Sequence, residues 1–188
     1  MYGADASGAA EAICVVQIAL QVFVAAAAVA TRDATLLKPE LLAHHAVTAA
    51  LMVQCLRPFH GGGGLFGTSR VAVFFGLTEV STVPLLVVDV LKAFPALRAR
   101  HATLDLGAKV LFAAAFLVVR VGVVTVHCVG FQRDVFAVVA AGDAHSLATL
   151  AFFSVANVFL VGLQFYWASL ILKRAAKTLA GAADDKGE

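Results

Sequence analysis

Two short stretches carry most of the side chains capable of chemistry in an otherwise apolar chain. Leu41–Leu51 reads LLAHHAVTAAL and holds His44, His45 and Thr48; Leu77–Leu85 reads LTEVSTVPL and holds Thr78, Glu79, Ser81 and Thr82. A neutral histidine can act as general base or nucleophile, and a carboxylate nearby can assist it, so His44, His45 and Glu79 are the candidate catalytic groups. Neighbouring residues project about 100° apart on a helix, so one imidazole is expected to face a cavity while the other is held by a hydrogen bond. Thr48 lies one turn beyond His44. Arg120, Asn157, Gln164 and Tyr166 are further polar groups inside apolar runs, and with Thr48, Thr78, Ser81 and Thr82 they are expected to line a binding cavity. Ionisable groups at membrane depth turn toward the bundle interior, because hydrocarbon penalises them.

Other chemistries lack their residues. The six histidines are scattered apart from one bare pair, which does not supply the boxes of a di-iron membrane enzyme. His60–Gly63 reads HGGG, but no GxSxG accompanies it to provide a serine nucleophile. GGGG leads to no GK[ST], so a phosphate-binding P-loop is absent. Cys14, Cys55 and Cys128 are far apart in sequence and each lies in an apolar run, which suits small buried hydrophobes better than a disulfide framework. No metal and no cofactor is expected. A net charge of +2, with basic residues spread between apolar runs, gives no patch for nucleic acid.

The elements that must position these groups follow from composition. With 61% hydrophobic and 14% charged residues in 188, and a mean hydropathy of +0.91, the chain is far more apolar than a soluble domain. A helix needs about 20 apolar residues to cross a hydrocarbon core. Five stretches meet or approach that length: 9–30, 40–57, 70–91, 107–128 and 147–172. The fold class is therefore all-α, a polytopic membrane bundle of about five transmembrane helices. Residues 1–8 form a short lead, 9–177 the transmembrane domain and 178–188 a disordered tail. Asp5 and Glu11, with no Lys or Arg, stand ahead of and at the start of the first run, which marks it as a retained span and not a signal peptide. VFAVVAA, within 129–146, is expected to lie at the surface or as a shallow re-entrant piece.

Cytoplasmic loops collect Lys and Arg. On one side stand Arg32, Lys38, Lys92, Arg98, Arg100, Lys109, Lys173, Arg174, Lys177 and Lys186; on the other stand only Arg57, Arg70 and Arg133. The imbalance predicts an outer N-terminus and a cytoplasmic C-terminus. At about 1.5 Å per residue from the cytoplasmic ends, Glu79 and Arg120 lie roughly 18 and 20 Å deep, which predicts an ion pair between them. Such a pair either serves a site or merely joins two helices. Pro84 removes the bond to the carbonyl of Val80 and should kink the third span, with nearby hydroxyls taking up the freed group. Thr78, Thr82 and Asp89 form a polar stripe that is expected to lead from mid-depth to the cytoplasmic end.

Taken together these residues resemble the TLC-domain family of membrane proteins, which includes ceramide synthases and small lipid-associated members. The resemblance rests on HHAVT (His44 to Thr48), LTEVSTVPLL from Leu77, FLVVRVGVV from Phe116 and GLQFYWASLILK from Gly162, in the family's order across most of residues 15–177. It implies membrane lipid as the binding partner and residence in the endoplasmic reticulum or another endomembrane. Ceramide synthases carry an HDxxD motif where this chain reads Thr78, Glu79, Val80, Ser81 and Thr82, so the resemblance leans to the small members that bind or sense lipid. The alternative it implies is an N-acyltransferase with acyl-CoA as co-substrate and a sphingoid base as acceptor. The family commonly has six or more spans, one of them ahead of residue 9, and this chain is expected to lack that one.

Overall fold

The computed structural model describes residues 4–32, 37–56, 68–144 and 146–184, and among them every regular element is helical. Helix α1 spans Ala4–Thr31 and stops where Arg32 takes a left-handed φ of 51°. Helix α2, Pro39–Gln54, starts on a proline at its first position, whose missing N–H costs nothing there, and Glu40 favours the same end. Helix α3 covers residues 68–93. It starts as α-helix Thr68–Val71, widens to a π-helix over Ala72–Gly76, tightens to a 3-10 helix over Leu77–Ser81 and returns to α-helix for Thr82–Ala93. A short helix α4, Pro95–Arg100, precedes the long α5, Ala102–Ala141. The last helix, α6, is Leu147–Asp184.

Helix α5 corrects the expected surface or re-entrant piece at 129–146. The chain stays helical to Ala141 because nothing in VFAVVAA breaks it, and a π-helical stretch Phe116–Val123 sits in its middle. It ends at Gly142, which takes the left-handed φ of 74° that glycine tolerates best. There the Asp143 N–H bonds the Val138 carbonyl at 3.1 Å and the Gly142 N–H bonds that of Val139 at 3.2 Å. Ser146 then caps α6, its hydroxyl accepting from the Thr149 N–H at 3.2 Å. His60 and the glycine run Gly61 to Gly64 lie outside the described residues, as does Arg57.

Among the described residues, four helical stretches are long and apolar enough to cross a membrane: Gly8–Thr31, Ala72–Ala93, Ala102–Ala141 and Leu147–Lys177. Helix α2, at 16 residues, is shorter. Outward positions are apolar, as at Phe23, Val118, Val126 and Val155, whereas Gln17, Gln21, Thr48, Ser81 and Gln164 are buried. A soluble bundle has the reverse arrangement.

The helices close into a ring. Helix α1 packs on α2 and on the first half of α3; α2 also meets α6; α6 lies along the π stretch and second half of α5; and α5 packs against α3. At the end of α2, Cys14 and Cys55, distant in sequence, come together with their thiols in hydrogen-bond contact, inside a cluster with Ala10, Leu51, Met52, Val71, Phe75 and Ala156. At the opposite, basic end Asp105 receives Arg98 at 2.9 Å and also Lys109, fastening α4 to α5.

The closure of α1 on α2 is checked by oxidation. In a Cys128→Ser variant in membranes, copper-phenanthroline should convert Cys14 and Cys55 into an intramolecular disulfide, seen as two thiols lost to maleimide after denaturation. If both thiols remain available, these helices are not packed as described.

Candidate functional site

The ring surrounds a cavity of about 630 Å³. One end is polar, with Gln17 and Gln21 from α1, His44 and Thr48 from α2, Thr78 and Glu79 from α3, Arg120 from α5 and Asn157 and Gln164 from α6. Its middle wall is apolar, built from Leu51, Met52, Phe74, Phe153 and Leu160, and it extends to Asp143, Ser146 and Thr149 at the turn between α5 and α6. Measured along α6 from Thr149 to Gln164, it is about 22 Å long at 1.5 Å per residue.

Arg120 is fixed from α3. Its Nε donates to the Ser81 hydroxyl at 2.7 Å and its Nη2 to the Thr82 hydroxyl at 3.0 Å, while the guanidinium carbon lies 5.8 Å from the Phe116 ring centroid. Ser81 is fully buried and itself donates to the Thr78 carbonyl at 2.8 Å, so one hydroxyl serves both helices. The expected ion pair with Glu79 is not made: among the described residues no carboxylate oxygen lies within 4.0 Å of the guanidinium, although Arg120 feels the charge of Glu79. The reason is local geometry. In the 3-10 turn, with three residues per turn, Thr78 and Ser81 stack on the buried face and Glu79 projects from the next position.

Pro84 is buried, and the distortion that it was expected to focus on the Val80 carbonyl is spread over the π and 3-10 turns before it. Carbonyls in that stretch are met by side chains. The Thr78 hydroxyl donates to the Phe74 carbonyl at 3.0 Å, and Gln17 Nε2 donates to the Phe75 carbonyl at 2.9 Å. From Gln17 the bonds continue, since Gln21 Nε2 donates to Gln17 Oε1 at 3.4 Å and Gln21 Oε1 meets Nδ1 of His45. Because the amide oxygen only accepts, His45 carries its proton on Nδ1 in this arrangement.

The two histidines are thereby separated. His45 is the one held by a hydrogen bond and does not line the cavity, whereas His44 does, with its ring edge-on to Trp167 at a centroid distance of 5.2 Å. His44 Nδ1, Thr48 Oγ1, Asn157 Oδ1 and Gln164 Oε1 are buried without a protein partner. Buried polar atoms are ordinarily paired with protein, water or ligand, so a cluster of unpaired ones marks a binding region.

Several candidates fall elsewhere. Ser81 and Thr82 stand behind Arg120 instead of lining the cavity, and Tyr166 is exposed on the outer face of α6. The stripe toward the basic end is also corrected: Asp89 is exposed, and the cavity runs the other way, to the α5–α6 turn. Gln17, Gln21 and Trp167 lie outside the sequence-based cavity set. Their signal was available in part, since two amides four residues apart share one face of the apolar run between Glu11 and Thr31. Near the far end, Arg70 is ion-paired with Asp134, donates to the His127 carbonyl at 3.5 Å and lies over Phe131.

A family model described as TLC domain matches residues 6–173. No curated protein and no solved structure matches the chain.

The hold on Arg120 predicts a stability effect. Ser81→Val removes the acceptor of a buried charged donor, a loss of about 2 kcal/mol that should lower the unfolding midpoint in mild detergent by roughly 4–8 °C. Val83→Ala, at an outward apolar position, serves as control. Equal midpoints for the two variants would show that the bond contributes nothing.

Proposed function

The chain belongs to the TLC-domain family, and from that premise we propose that it is a multi-span membrane protein that binds a lipid within its helix ring and thereby influences membrane lipid composition or traffic. The observation that carries this reading is the cavity itself: a polar chamber joined to an apolar wall, enclosed by helices whose outer faces are apolar. Its 630 Å³ holds roughly twenty water-sized groups at about 30 Å³ each, enough for a headgroup and a stretch of hydrocarbon. A cavity of that size buries a ligand largely by apolar contact, with a few polar groups fixing its orientation.

The positive-inside count supports a cytoplasmic basic end, with the cavity extending toward the opposite leaflet. Family resemblance supports the endoplasmic reticulum or another endomembrane as its place and sphingolipid-related or other membrane lipid as its partner.

One observation favours a second reading. His44 lines the same chamber as Glu79, with its Nδ1 unpaired, and this is the disposition that an acyl-CoA-dependent N-acyltransferase acting on a sphingoid amine needs of a general base. The binding reading is preferred because only one acidic group, Glu79, stands where the acyltransferases carry two.

Mass spectrometry of lipid co-purified in mild detergent tests the binding reading. Leu160→Trp fills the apolar wall and should cut retained lipid roughly tenfold or more, whereas Val155→Trp on the outer face should not. Equal retention in both variants contradicts a lipid inside the ring. Acyl transfer from acyl-CoA to sphinganine that disappears in His44→Ala would replace the binding reading with the enzymatic one.

A further inference from the structure

Two opposite charges, Arg120 and Glu79, face the polar end of the chamber without neutralising each other, while Asp143 at its far end is exposed beside the α5–α6 turn. Arg120 is held by Ser81 and Thr82 through Nε and Nη2, which leaves Nη1 and pins the guanidinium away from Glu79. The Glu79 carboxylate makes no hydrogen bond or ion pair among the described residues, lines the same cavity and lies within electrostatic reach of Arg120. The ion pair nearer the far end, Arg70 with Asp134, is already satisfied and adds no free charge.

In an enclosure of low polarisability an unpaired charge is costly, and the cost falls only when a partner of opposite sign reaches it. An anionic ligand would satisfy Arg120 and leave a repelled carboxylate. A cationic ligand would do the reverse, and an uncharged one would leave both groups as they are. A molecule with both signs, net neutral and short enough to bridge the gap, satisfies both at once. Hydrogen-bonding capacity is also present around it, on Asn157, Gln164, Thr48 and His44, whose polar atoms include buried ones without partners. The adjoining wall of Leu51, Met52, Phe153 and Leu160 suits hydrocarbon attached to that molecule.

We propose that the chamber selects a zwitterionic lipid headgroup, its anionic phosphate on Arg120 and its ammonium on Glu79. This names the class of lipid and rests on the proposed binding function. The ligand enters as a dipole aligned from α5 to α3, with its chain along the wall toward the α5–α6 turn. Helix α3 supplies both the anchor for Arg120 and the opposing carboxylate, so the separation of the two charges is fixed within a single helix.

The test offers the detergent-solubilised full chain an equimolar mixture of chain-matched phosphatidylethanolamine, phosphatidylcholine, phosphatidylglycerol and diacylglycerol. Retained lipid is then quantified by mass spectrometry. The two zwitterionic lipids should exceed the other two by roughly tenfold, a difference of about one pairing interaction. Glu79→Gln, at a carboxylate with no hydrogen-bond or ion-pair partner among the described residues, should reverse the preference toward phosphatidylglycerol; Val155→Trp, on the outer face of the ring, should leave the zwitterionic preference as it is. Unaltered selection in Glu79→Gln overturns the proposal, as does equal retention of diacylglycerol by the unmodified protein, and either result leaves lipid binding standing. Retention of no lipid at all overturns the binding function as well. Displacement of the lipid by an equal concentration of free phosphoethanolamine overturns the lipid as the source of the headgroup.

Discussion

A guanidinium in the middle of an apolar bundle has to find its hydrogen-bond acceptors inside the protein, and Arg120 finds two on α3. The bonds to Ser81 and Thr82 decide how α3 and α5 face each other, because both hydroxyls must point at the same side chain. Ser81 is fully buried and also ties back to its own helix through the Thr78 carbonyl. With that contact made, Glu79 is turned into the chamber instead of onto the arginine. The charge separation that characterises the cavity is thus a consequence of how one arginine is satisfied.

The irregular backbone makes this possible. A π turn frees carbonyls that a regular helix would consume, and α3 passes two of them to side chains, Phe74 to Thr78 and Phe75 to Gln17. The second begins a line of bonds through Gln17 and Gln21 to His45, which joins α3 to α1 and α1 to α2. No membrane water is available to these groups, so each bond needs a helix as partner, and the ring closes around them. Holding His45 in that line leaves its neighbour His44 to face the cavity. A pair that looks duplicated in sequence therefore has two different tasks.

Much of this arrangement is legible in the amino-acid sequence. Apolar runs interrupted by His44, Glu79, Arg120 and Gln164 announce a membrane bundle with a polar interior, and the 100° step between adjacent helical residues separates the two histidines. What could not be read was distance at the scale of a single hydrogen bond. Equal depth placed Glu79 and Arg120 level, and they are near each other, but the 3-10 turn around Glu79 sets which neighbour the arginine touches. No propensity rule signals the change from π helix over AVFFG to 3-10 helix over LTEVS. The length of α5 was obscured by Asp134, whose charge reads as a surface break and is instead neutralised by Arg70 from α3. Tyr166 sits in an apolar run as Gln164 does, but its angular position on α6 points it outside.

The proposed function needs a ring of membrane helices around a chamber in which Arg120 and Glu79 are not paired with each other. An experimental density map of the protein extracted with its native lipids tests this most directly. Elongated non-protein density is expected to begin between Arg120 and Glu79 and to follow Leu51, Met52 and Phe153 toward the α5–α6 turn. A collapsed chamber in which Glu79 has swung onto Arg120, with the helices packed solidly along that path, would contradict it.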